Sequence, residues 1–257
     1  MTAGRLWALE APVATIPKAV ILTNAEGDVT IPLPAFLIEH ARGLVLFDTS
    51  LNPKAAEDAE GTYPDLAPLM AGLQFPSEAR IDRQLQALGF APGDVTHVVL
   101  SHAHFDHVGG MHLFSEATFL VGEDEMPFAF WPDPVTDPFY RQSELEFLRG
   151  VDLRQVHGDL DLFGDGALVL LHTPGHTPGH QSLLVRLGSQ SVLLAADVVH
   201  LREGLAGVPF PGDWDTREMR RSARRVVQLA EAEQATLWIA HDPRDWERRT
   251  PPPGTYE

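Results

Sequence analysis

The sequence predicts one α/β domain spanning residues 1–257, built from two layers of β-sheet with flanking helices. Three observations predict it. At 257 residues, with 44% hydrophobic and 21% charged side chains, the chain can bury one large core, and this composition excludes disorder and collagen-like repeats. Strand-length apolar runs bounded by turn residues recur in both halves. Each half also carries a segment with helical spacing of its apolar residues, and no internal repeat divides the halves into separate domains.

Taken in order, Ala19 to Leu22, Ala35 to Glu39 and Leu44 to Phe47 read as strands, separated by Asn-Ala-Glu-Gly-Asp and His-Ala-Arg-Gly turns. Residues 51 to 76 are rich in Pro, Gly and acids. Ser77 to Gly89 reads as a helix, with Ser77 as N-cap, apolar Ile81, Leu85 and Leu88, and a closing glycine. Val95 to Leu100 is a buried strand that ends on a histidine cluster, where open α/β sheets place their sites. Strand Thr118 to Val121 leads into Met126 to Tyr140, a stretch with four prolines and several aromatics that reads either as a lid or as a packed surface loop. Ala167 to Leu171, Ser182 to Leu187 and Ser191 to Ala196 are strands, Asp215 to Glu233 is a helix, and Thr236 to Ala240 is the last strand. Arginines 217, 220, 221, 224 and 225 interleave with Met219, Ala223, Val226 and Leu229 as the solvated face of that helix does.

A formal net charge of −17 repels phosphate backbones and anionic lipid, so nucleic acid and membrane are excluded as partners and small neutral or cationic ligands are favoured. The absence of cysteine removes disulfides, thiolate catalysis and cysteine-rich zinc sites. Any metal must sit on histidine and carboxylate. The first residues, Met1 to Glu10, lack the apolar core of a secretion signal, and no run is long enough to span a bilayer, so a cytoplasmic protein is expected.

Ser101-His-Ala-His-Phe-Asp-His107 packs His102, His104, Asp106 and His107 into six residues, a density suited to a tight loop whose side chains converge on a cation. Gly109 and Gly110 follow, and would let the backbone fold closely around the ion. An incidental His-rich surface stretch would have no matching donors elsewhere. Here Thr173-Pro-Gly-His-Thr-Pro-Gly-His180, Asp197 and His241 each stand at the end of an apolar strand. His40, His97, His112, His157 and His172 belong to no such pattern and read as surface or structural histidines.

With these residues in place the chain resembles the metallo-β-lactamase superfamily, whose mark is a His-x-His-x-Asp-His loop followed by a later His, Asp and His. The resemblance covers residues 35 to 241 and implies an αββα sandwich. It also implies that His102, His104 and His176 hold one divalent metal, that Asp106, His107 and His241 hold a second, and that Asp197 bridges the two. His180, in the second Pro-Gly repeat, is then a support and not a ligand. Phe47-Asp48-Thr49 is similar to the family's early Asp motif, with Ser50 in place of the usual glycine. Zinc is the expected metal, although the same donors serve iron, cobalt and manganese.

Within the superfamily the runs 101–110 and 174–183 and the ending His241-Asp242 are most similar to the N-acyl-homoserine lactonases. That resemblance implies a quorum-quenching hydrolase that opens a lactone ring by attack of a metal-bridging hydroxide, with Asp106 or His200 moving the proton. Where those enzymes carry a tyrosine three residues after the bridging Asp, Asp197-Val-Val-His200 places an imidazole. His200 then either polarises the carbonyl or protonates the leaving oxygen, or simply walls the pocket. Phe105, Met111 and the aromatics Phe128, Phe130, Trp131 and Phe139 are candidate walls for the acyl chain. Alternatives are another lactone, an organophosphate triester, a glyoxalase II-like thioester, a mononuclear iron persulfide dioxygenase, or a ligand sensor without catalysis. A homodimer is compatible with the sequence.

Overall fold

The computed structural model describes residues 2–249 and 256–257. In chain order the strands are β1 (Arg5–Ala8), β2 (Val13–Pro17), β3 (Asp28–Pro32), β4 (Phe36–His40), β5 (Gly43–Phe47), β6 (Leu73–Gln74), β7 (Val95–Val99), β8 (Thr118–Gly122), β9 (Asp152–Val156), β10 (Leu160–Asp161), β11 (Leu168–His172), β12 (Gln181–Arg186), β13 (Ser191–Leu194) and β14 (Ala235–Trp238). The helices are α1 (Ala59–Thr62), α2 (Ala67–Met70), α3 (Ile81–Ala87), α4 (Phe105–Val108), α5 (Glu125–Ala129), α6 (Gln142–Leu145), α7 (Thr216–Ala232) and α8 (Pro243–Glu247).

Two large sheets form, ordered β1-β4-β5-β7-β8-β9 and β10-β11-β12-β13-β14. Period-2 alternation in their strands decides how they stack. In β4 and β5, Phe36, Ile38, Val45 and Phe47 point into the core shared with Leu183, Val185, Val192 and Leu194 of the other sheet. Their neighbours Leu37, Leu44 and Leu46 face the opposite way, onto Ile81 and Leu85 of α3. On the far side, Leu184 and Leu193 pack against Met219, Ala223 and Val226 of α7. Helix, sheet, sheet and helix therefore lie in four layers, the predicted αββα sandwich. Helix α7 starts where expected because the Asp215 carboxylate accepts the N–H groups of Arg217 and Glu218 at 2.7 and 3.1 Å.

Strand direction then positions the site. In the six-stranded sheet β5 and β7 run parallel, so Asp48 and the 101–107 loop leave from the same edge. In the five-stranded sheet β11, β13 and β14 share one direction, so residues 173–176, Asp197 and His241 all emerge at one edge too. Functional side chains thus come from the carboxyl ends of five strands.

Three expectations are corrected. Ala19 to Leu22 is no strand: Lys18–Val20 is a 3-10 turn, and Ile21 and Leu22 are buried without ladder pairing. Apolar burial alone does not require a strand. The strands of that region are β2 and β3, which pair with each other in a small third sheet whose other edge strand, β6, pairs with β2. The helix expected from Ser77 begins only at Ile81, because Arg80 is extended (ψ 132°) and separates it from a 3-10 turn at Ser77–Ala79. The 126–140 stretch is partly helical, opening with α5.

Candidate active site

The histidine loop is clamped from below by Asp48. Its Oδ1 accepts the Ser101 N–H at 2.6 Å, and its Oδ2 accepts from His107 Nδ1 at 2.8 Å, which leaves the His107 Nε2 lone pair aimed inward. Asp48 and Ser50 both adopt left-handed backbone, φ 58° and 55°. Ser50, standing where the family motif has glycine, donates its hydroxyl to the Leu33 carbonyl at 2.6 Å. That bond offsets part of the cost of a side chain in this conformation. Gly109 and Gly110 act differently from the expectation: a Cβ on Gly109 would lie 2.1 Å from Asn52 N, and one on Gly110 2.6 Å from the Thr49 carbonyl. They let the loop pack on the 49–52 segment, not around an ion.

Three imidazole nitrogens converge next. His176 Nε2 lies 3.2 Å from His102 Nε2 and 3.1 Å from His104 Nδ1. Burial, reinforced by the neighbouring imidazoles, pushes His102 and His104 well below the usual histidine range, so both rings are neutral. Two ligand nitrogens at 2.0–2.1 Å from a tetrahedral zinc would lie roughly 3.3 Å apart, which is the spacing found here.

A second group lies beside the first. Asp106 Oδ2 is 3.6 Å from both His107 Nε2 and His241 Nε2. His241 gives its Nδ1 proton to the Pro32 carbonyl at 2.8 Å, so its Nε2 too presents a lone pair. Asp197 stands between the groups, with Oδ1 3.5 Å from His107 Nε2 and Oδ2 3.1, 3.8 and 4.0 Å from His241, His176 and His102. Burial disfavours charge on His107 and His241, but Asp197 and Asp106 outweigh it and raise both. Asp197 itself is driven well below the carboxylate range, because His241 and His107 beside it overcome its burial. The buried His104 Nε2, His107 Nε2 and Asp197 Oδ1 have no hydrogen-bond partner. Converging imidazole nitrogens and carboxylate oxygens, with His107 Nε2 and Asp197 Oδ1 left unpartnered inside the cluster, are what a divalent cation satisfies, so the donor set fits one.

The comparisons with known proteins agree. The family model of the metallo-beta-lactamase superfamily matches residues 32–236. The chain belongs to the metallo-beta-lactamase superfamily. Among the superfamily's characterised members, it is 35% identical over 224 residues to the N-acyl homoserine lactonase AttM of Rhizobium radiobacter, covering 85% of each chain. It is 30% identical over 219 residues to the N-acyl homoserine lactonase AiiA of Bacillus thuringiensis subsp. kurstaki, covering 82% of each. A solved N-acyl homoserine lactone hydrolase with the product N-hexanoyl-L-homoserine at its catalytic metal centre superposes with a TM-score of 0.86 at 25% identity, over 100% of both chains.

In this superfamily fold the seven residues singled out by sequence come together, and His180 is a support as expected. Burial pushes His180 down to about 3, and its neutral Nε2 accepts the Asp197 backbone N–H at 3.0 Å. His200 joins the centre, its Nε2 3.2 Å from Asp197 Oδ2 and its ring stacked on Phe210 at 4.5 Å. Asp213 was not singled out by sequence. It reaches His176 Nδ1 at 3.4 Å and accepts the Phe210 N–H at 2.9 Å, and no sequence motif marks it.

An apolar pocket opens onto His104, Asp106, Asp197, His200 and His241. Its walls are Ile16, Ile21, Ile31, Leu33, Leu69, Met70, Phe105, Phe139 and Phe210. Phe105 and Phe139 stand where expected. Met111 does not, being buried in the outer core cluster that also includes Ile81 and Leu85 of α3 and against which Phe128 and Phe130 pack; Trp131 is 87% exposed. The aromatic run was too coarse a signal, since an apolar residue can equally serve the core.

Ser50 gives a test of the strained turn. Ser50→Ala loses the bond to Leu33 and keeps the strain, so metal-free protein should lose about 1–2 kcal/mol in urea unfolding. Ser50→Gly loses the same bond but recovers about 1 kcal/mol of backbone cost, and should be the milder change. An alanine variant more stable than the glycine variant contradicts the role given to Ser50.

Proposed function

We propose that this chain is an N-acyl homoserine lactonase, a hydrolase of ester bonds in a lactone ring. The observation that carries the reading is a buried His/Asp centre with complete donor sets on the floor of an apolar pocket, in a chain similar over most of its length to proteins of that activity. His102, His104 and His176 would hold one divalent ion, for which zinc is the expected metal, Asp106, His107 and His241 would hold a second, and Asp197 lies within reach of both groups. When bound, the metal supplies an acidified water and Lewis-acid polarisation of a carbonyl. The completeness of the second donor set favours two ions over the single iron of a persulfide dioxygenase.

The chain's own residues do the rest. The apolar walls receive the acyl tail and exclude water, and so present the lactone carbonyl to the polar floor. Asp106, at 12% side-chain exposure the most open of the donors, faces that pocket and carries the proton released by the attacking water to the ring oxygen. The new carbon–oxygen bond forms as the ring ester bond breaks, giving an acyl-homoserine with a free carboxylate and hydroxyl. Burial keeps His200 neutral despite Asp197. Its contact with that carboxylate and its stack on Phe210 support the reading that it takes the tyrosine's part beside the lactone ring. The acidic surface suits a small neutral substrate and not nucleic acid.

Ring opening of acyl-homoserine lactones of graded chain length tests the function. Each methylene that the walls cover contributes about 0.8 kcal/mol, so kcat/KM should rise about fourfold per methylene until the pocket is filled. Metal-loaded enzyme that leaves every member of the series intact sinks the reading. For His200, replacement by Leu should lower kcat on a good lactone by about 100-fold with metal content retained; an unchanged kcat would reduce His200 to a pocket wall.

A further inference from the structure

His102 and His104 follow β7 of the six-stranded sheet, whereas His176 lies between β11 and β12 of the five-stranded sheet. The approach of His176 Nε2 to within 3.1–3.2 Å of the other two nitrogens therefore depends on the spacing of two loops from different layers. Glu125, the first residue of α5, sits in the gap with none of its surface exposed. Its Oε1 accepts the Ala103 N–H at 2.8 Å, and its Oε2 accepts the Thr177 hydroxyl at 2.5 Å. Ala103 lies between two of the clustered histidines, and Thr177 directly follows the third.

The backbone is just as close. A Cβ on Gly179 would come within 2.3 Å of Glu125 N, so the loop seats on the start of α5 only as glycine. Gln181 also crosses between the layers, giving its N–H to the Ser101 carbonyl at 2.8 Å and its side-chain amide to the Leu100 carbonyl at 3.0 Å. It ties the strand ends together and leaves residues 103 and 177 to Glu125. Burying a carboxylate is costly unless donors surround it, and every donor here comes from the two histidine loops.

We propose that Glu125 is a positioning residue: it clasps the 102–104 and 176–179 loops to each other and so sets how tightly the His102, His104 and His176 cluster binds a divalent metal, without touching metal or substrate. This rests on the metal reading given above.

The test is a competition titration of zinc against a chromophoric chelator, run on wild type, Glu125→Gln, Glu125→Leu and Thr177→Val. Groups behind metal ligands typically contribute 10- to 100-fold in affinity. Glu125→Leu should weaken zinc binding by that amount. Glu125→Gln should recover most of it, since its amide oxygen can still accept from Ala103 while its NH2 donates to the Thr177 hydroxyl. Thr177→Val, which removes one contact at nearly constant shape, should cost about tenfold and keeps the proposal falsifiable if the leucine variant does not fold. Wild-type affinity in Thr177→Val, or in a folded Glu125→Leu, overturns the proposal alone. Equal losses in the glutamine and leucine variants overturn it as well, because shape alone would then account for them. A wild-type chain that takes up no zinc overturns the metal reading, and this inference with it.

Discussion

A single buried carboxylate, Asp197, organises the centre. Left alone in so dry a place it would be prohibitively unfavourable, and the fold surrounds its two oxygens with His107, His241, His200, His176 and His102, a set of donors that a shared cation would draw together. The backbone is bent to put it there: Ala196, just before it, is held at φ 48°, and the Asp197 N–H is captured by His180. A left-handed alanine beside a functional carboxylate is strain that the surrounding structure must hold. Because Asp197 follows β13 while His107 and His102 follow β7, this one residue couples the two sheets of the sandwich.

The centre divides into layers with separate tasks. Asp48 and His180 fix the donors from behind, and Asp213 fixes His176 while holding Phe210 against the pocket. In front, the floor is polar and the walls are aliphatic or aromatic. The same small third sheet that supplies Ile16 and Ile31 to those walls supplies the Pro32 carbonyl that orients His241. Substrate pocket and ligand geometry therefore share structural elements, so a change in one is felt in the other. Among the described residues no helix is long and apolar enough to cross a membrane.

Residues that must be of one type to do their work were legible in the sequence. The seven positions 102, 104, 106, 107, 176, 197 and 241 could be named because a dense His/Asp loop and later His and Asp residues at strand ends together match the superfamily's pattern, which also separated His176 from His180. Two layers of sheet with flanking helices were legible because strands such as 44–47 and 191–194 carry continuous apolar runs with residues for two faces, and the resemblance to the superfamily supplied the αββα order. The pocket was not legible. Ile16, Ile31 and Leu69 are ordinary apolar residues whose neighbours in space are distant in sequence, while Met111 and Phe128 look equally suitable and are spent on the outer core. Ala19 to Leu22 misled for the same reason, since burial does not reveal whether a ladder or a turn delivers it. Asp213 and Glu125 were missed because an isolated acid in an acidic chain carries no mark of what it will touch.

The claim on which the account depends is that Asp197 serves both donor groups at once. Asp197→Asn keeps the shape and halves the oxygen donors, so the metal content of purified protein, measured by elemental analysis after dialysis against a weak chelator, decides it. The account predicts about two zinc ions per chain in the wild type and loss of both together in the variant, with the lactone-opening activity lost in step. A variant that retains its full metal content and activity, or that loses one ion while the other stays at wild-type occupancy, would contradict it.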